Sequence, residues 1–128
     1  MIILRVWIAS LLFCAAIVVS GCASTVIRSA QTSTDYQKVF EAARQAAIER
    51  AFGVTSADIN TGFISGRQGV LAGSGNQVLL NIQVSKGTPT KVEVSVVPPP
   101  GVIGDTDGIV RGIFAAMKNR IPDLAVPN

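Results

Sequence analysis

The sequence predicts a two-layer α+β domain: an antiparallel sheet of three or four strands with two helices on one face, in the order α-β-β-β-α. Three observations carry this reading. Apolar residues recur at three-to-four spacing across residues 35–52 and again across 109–121. They alternate with polar residues across Gln77–Ser85 and Thr90–Val97, as strands with one buried and one wet face require. Between the last strand and the last helix stands Pro98-Pro99-Pro100-Gly101, which cannot continue a sheet.

Thr34 to Gln37 reads as a capping box, with the Thr34 hydroxyl accepting from the backbone and Gln37 reaching back. The helix it opens is expected to run from about Asp35 to Phe52. Its inward stripe is Tyr36, Val39, Phe40, Ala43, Ala47 and Ala51, and Gly53 stands just past its end. Val54–Ile59 reads as a short strand or extended turn, and Gly62–Gln68 as a better strand. In the two clearest strands Val78, Leu80, Ile82 and Val84 share one face, as do Val92, Val94 and Val96. Lys86-Gly87-Thr88-Pro89 joins them as a hairpin loop. Asp105, Thr106 and Asp107 are candidate caps for the second helix, whose stripe is Ile109, Val110, Ile113, Phe114, Met117 and Ile121. Lys118 and Arg120 complement its negative end, and Pro122 stops it.

The chain before this domain has a different character. Met1 to Arg5 carries one positive charge, and Val6 to Val19 is apolar apart from Ser10. That run falls short of the ~20 apolar residues of a membrane-spanning helix and suits a secretory leader. It ends in Val19-Ser20-Gly21-Cys22: an aliphatic residue, two small ones and a cysteine. This resembles the lipobox of bacterial lipoproteins. The resemblance implies that residues 1–21 are a cleaved signal peptide and that the Cys22 thiol accepts a diacylglyceryl group. Residues 22–33 would then be a lipidated, flexible tether and residues 34–128 the folded domain. Ala23, where aspartate tends to mark inner-membrane retention, implies an outer-membrane lipoprotein facing the periplasm. The competing readings are a buried core cysteine after a hydrophobic helix and an uncleaved membrane anchor.

Composition narrows the chemistry. Of 11 Lys and Arg and 8 Asp and Glu, only Arg5 lies in the leader, so the mature chain carries 10 against 8, a net of +2. Nothing in that balance points to nucleic acid. There is no histidine, and the two cysteines are Cys14 in the leader and Cys22 at its end. The mature domain therefore cannot form an internal disulfide, a Cys/His zinc site, or a Ser-His-Asp or Cys-His catalytic site. A Ser-Lys dyad lacks its Ser-x-x-Lys spacing. No cofactor, metal or catalytic residue is expected.

Two segments invite a site. Gly104-Asp105-Thr106-Asp107-Gly108 is too short for an EF-hand loop and reads as a helix cap. Gly66 to Gly75 is glycine-rich but joins two strands, and no Gly-Lys-Ser/Thr follows, so it reads as a hairpin loop rather than a phosphate cradle. Its Val70 and Leu71, with Val102 and Ile103 after the triple proline, are candidate contacts to a partner or membrane; the alternative is that they fold back onto the core. Arg67 is expected on the sheet's open face with Lys91 and Glu93.

The order of elements, with Asp58-Ile59-Asn60-Thr61-Gly62-Phe63-Ile64 entering a strand, resembles small bacterial lipoproteins. It is also similar to the helix-grip domains of a lipoprotein subunit of the outer-membrane barrel assembly machine. No binding residue is carried over from that similarity. The expectation is a non-enzymatic, lipid-anchored envelope protein that binds another envelope component, protein or lipid or glycan, through its open sheet face or loops. The alternative is a small enzyme or enzyme accessory acting on the cell wall.

Overall fold

The structure, a computed structural model, describes residues 25–69, 77–99 and 105–126. Its elements are β1 (Val26–Thr32), α1 (Tyr36–Glu49), β2 (Gly53–Asp58), β3 (Phe63–Gly69), β4 (Gln77–Ser85), β5 (Thr90–Val97) and α2 (Thr106–Arg120). The five strands form one antiparallel sheet in the order β1-β5-β4-β3-β2. The α+β class and the two helices agree with the sequence reading. The strand count does not, and β1 is the main difference.

That strand lies in the segment expected as a tether. Its sequence, Val-Ile-Arg-Ser-Ala-Gln-Thr, does alternate, but Ala30 and Thr32 are the only fully buried members. Such small and polar residues give a weak periodic signal. The strand forms on the outer amides and carbonyls of β5, which it pairs while burying Ala30 and Thr32, and it becomes the edge strand in turn. Seven residues of β1 pair with β5, from Val26 opposite Val96 to Thr32 opposite Thr90. At its far end the C-terminal segment joins through Gln31 and Ala125, whose amides and carbonyls exchange bonds of 3.0 and 2.8 Å.

The alternation in β4 and β5 is realised as read. Leu80, Ile82, Val84, Val92, Val94 and Val96 are at most 1% exposed, and each such side chain contributes about 1.5–3 kcal/mol by leaving water. Ile64 extends this face onto β3. Over it lie α1, through Val39, Phe40, Ala42, Ala43, Ala46 and Ala47, and α2, through Val110, Ile113, Phe114, Ala116 and Met117. Four buried alanines let α1 approach its neighbours closely.

The ends of α1 differ from the sequence reading. The Thr34 hydroxyl does not cap the helix but donates to Asp123 Oδ1 at 3.0 Å. Asp35 takes the cap position without a side-chain bond. The helix closes about one turn early because Phe52, only 4% exposed, turns back onto the core, so Ala51 rather than Gly53 takes the left-handed conformation, with φ +65°. The cap of α2 is as expected: Asp105 Oδ1 accepts from the Gly108 amide at 2.8 Å.

Candidate functional site

Cys22, Val70, Leu71, Val102 and Ile103 lie outside the described residues. Their flanks are nevertheless placed by the strand register. Val26 pairs with Val96, Leu79 with Val97, Gly69 with Gln77, and Gly53 with Arg67. The start of β1, the end of β3, the start of β4 and the end of β5 therefore share one end of the sheet, here called the anchor end. The first described residue of α2's cap, Asp105, also lies there, lining a cleft of about 350 Å³ with Arg50, Phe52 and Gln68.

The sheet face away from the helices is uncovered in the described chain. Rows of side chains cross it, read from the register. Nearest the anchor end are Val97, Leu79 and Arg67; next come Ile27, Ser95, Asn81 and Ser65; then Ser29, Glu93, Gln83 and Phe63; and last Gln31, Lys91 and Ser85. Arg67, Lys91 and Glu93 thus do occupy the open face, but Arg67 stands apart from the other two. The apolar residues are not scattered evenly. Ile27, Leu79 and half-buried Val97 gather in the two rows nearest the anchor end, while the two farther rows are polar apart from Phe63.

The opposite end is wired by polar side chains. Asp123 accepts from the Thr32, Ser33 and Thr34 hydroxyls at 2.8, 2.5 and 3.0 Å, and from the Ser33 amide at 3.0 Å. These bonds, the Ser33 hydroxyl first, hold its carboxyl well below the usual carboxylate range against a smaller opposing cost of burial. The cluster links the β1–α1 corner to the segment after α2. Beside it a cleft of about 680 Å³ is lined by residues 33–36 and by the Lys86–Thr90 hairpin. Lys86 Nζ stands 4.9 Å from the centroid of the Tyr36 ring, a cation–π contact. The Tyr36 hydroxyl donates to the Ile59 carbonyl at 2.5 Å.

This cleft brings Ser33, Thr34 and Lys86 to one region, but not as a nucleophile and its base. Both hydroxyls donate to Asp123, and the ammonium faces an aromatic ring. Asp105 and Asp107 act as cap and ion-pair partners: Asp107 meets Arg28 at 2.7 Å and Arg111 at 3.1 Å. No group of three acidic, cysteine or histidine side chains that could hold a metal occurs among the described residues. No described helix is long and apolar enough to cross a membrane. The sequence reading missed Asp123, since its partners lie about ninety positions away in the chain and carry no motif.

Comparison with known proteins adds little to this geometry. No family model and no curated protein matches the sequence. Among solved structures, the chain is similar to DynU16, a protein of the dynemicin biosynthetic locus, at 15% identity and a TM-score of 0.42 over 77% of this chain. It spans only 46% of that protein's length. It is also similar to Ara h 8.0201, at 11% identity and a TM-score of 0.41, over 74% of this chain and 95% of that one.

Proposed function

We propose that the protein is a lipid-anchored lipoprotein of the bacterial cell envelope, held by acyl chains on Cys22 in the outer membrane and facing the periplasm. Its domain is non-enzymatic and binds another envelope component through the open sheet face. The observation that carries the reading is the run Val19-Ser20-Gly21-Cys22, placed directly after a short apolar leader and three residues before the first strand. Two acyl chains, at ~0.8 kcal/mol per buried CH₂, anchor a domain stably. The chemistry available around the larger cleft supports binding over turnover, because its hydroxyls are committed to a carboxylate and its lysine to a ring.

The binding role is tested by photo-crosslinking in cells from Glu93 and Lys91, both on the open face. A discrete adduct with one protein or glycan is the expected result. Absence of any adduct, together with cleavage of cell-wall fragments by the purified domain, would replace this reading with the cell-wall enzyme.

A further inference from the structure

The distance from Cys22 to the first strand constrains how the domain can sit on a membrane. Only Ala23, Ser24 and Thr25 separate Cys22 from Val26. At 3.3–3.6 Å per residue, the fully extended connection spans at most about 14 Å. The connection was expected to be a long tether, and β1 shortens it to three residues. A lipidated Cys22 sits at headgroup level, where each polar layer is roughly 5–7 Å thick. The anchor end of the sheet is thereby held close to the bilayer surface.

The side chains at that end suit such a surface. Ile27 is 60% exposed and Leu79 39% exposed, and Val97 lies beside Leu79 in register. These three residues come from β1, β4 and β5, adjacent strands about 4.8 Å apart, so the patch is roughly 10 Å wide. Arg67 sits opposite Leu79 on β3 and makes no ion pair among the described residues. Phe63, by contrast, pairs with Gln83, four residues along β4 from Leu79 and roughly 13 Å farther from the anchor end.

We propose that Ile27, Leu79 and Val97 rest on the bilayer that holds the Cys22 lipid, at the boundary of headgroups and acyl chains, with Arg67 on headgroup phosphates. This rests on the reading of Cys22 as lipidated. It leaves the far rows of the open face and the larger cleft free for a periplasmic partner.

The test uses the mature lipidated protein, its acyl mass confirmed, in phosphatidylethanolamine–phosphatidylglycerol vesicles carrying brominated acyl chains. With the leader removed and Cys22 acylated, Ile27→Cys, Leu79→Cys and Lys86→Cys each offer one free thiol for an environment-sensitive fluorophore. Bromine should quench the labels at 27 and 79 at least ~twofold more than the label at 86. A second set carries a Gly/Ser spacer of about twelve residues between Ser24 and Thr25, which removes the constraint of the short connection. Quenching that survives the spacer shows that the patch itself holds the surface. Quenching lost with the spacer, labels shielded from water but not quenched, or no quenching on a chain of correct acyl mass each overturns the proposal while leaving the anchor intact. A chain without acyl mass overturns both.

Discussion

The two ends of the sheet are built on different principles. At the end far from Cys22, side chains are bonded to loop backbone and to one another. Asp123 gathers three hydroxyls, Tyr36 holds the Ile59 carbonyl, Gln83 donates to the Thr61 carbonyl at 2.7 Å, and Thr90 donates to the Thr34 carbonyl at 3.0 Å. At the anchor end, the polar bonds among the described residues include the Asp105 cap of α2, the Gln68 bond to the Arg50 carbonyl at 3.0 Å and the Arg28–Asp107 pair at 2.7 Å. There the open face gathers Ile27, Leu79 and Val97, whereas Phe63 is the one large apolar side chain on its farther described rows. One end is fixed by internal wiring, and the other has apolar surface that a neighbouring phase could cover.

Substitutions at each end should separate these roles. The largest effect is expected for Gly62→Ala at the wired end. Gly62 has φ +75°, and a Cβ there would collide with the Val84 carbonyl oxygen, so a loss of at least ~2 kcal/mol should appear in urea unfolding. Asp123→Ala should also lower Tm, because it leaves three hydroxyls without their acceptor. Its pH dependence has a defined sign. Asp123 has a folded pKa below its ordinary 3.8, so its contribution is complete above that value and is lost as pH falls toward the depressed one. A thermal midpoint measured from pH 6 downward should fall in wild type and fall less in Asp123→Ala. Asp105→Ala, at the anchor end, removes one cap bond and should cost about 1 kcal/mol in the same unfolding assay. Ile27→Ser combined with Leu79→Ser should change stability by no more than ~0.5 kcal/mol per site. A loss of several kcal/mol there would show that these residues belong to the core, and the contrast between the ends would fail. One effect of similar small size is a gain: Ala51→Gly relieves the left-handed conformation and should add about half a kcal/mol.

The strongly periodic elements were legible in the sequence. Gln77–Ser85 and Thr90–Val97 occupy the spans that alternation assigns, and the α2 stripe is buried at Val110, Ile113, Phe114, Met117 and Ile121. What escaped depended on distant partners. β1 has too little apolar weight to declare itself and is specified by the edge of β5, some sixty residues later. Thr34 looked like a cap because a local motif was complete, yet Asp123 outcompetes the helix amide for its hydroxyl. Glycine at 53 suggested the helix end, whereas burial of Phe52 sets it earlier. Of the candidate site, the leader and lipobox were legible as a motif. The clustering of Ile27 with Leu79 and Val97 was not, since it needs the strand register.

The anchor, and with it the seating of the domain on the bilayer, depends on Cys22. The most direct test is the intact mass of the membrane-extracted protein, wild type against Cys22→Ser. The result it predicts is a mature chain beginning at Cys22 with added acyl mass, and loss of that mass in the variant. A wild-type chain that retains residues 1–21 and carries no acyl group would contradict it, and residues 6–21 would then have to be read as an uncleaved membrane anchor.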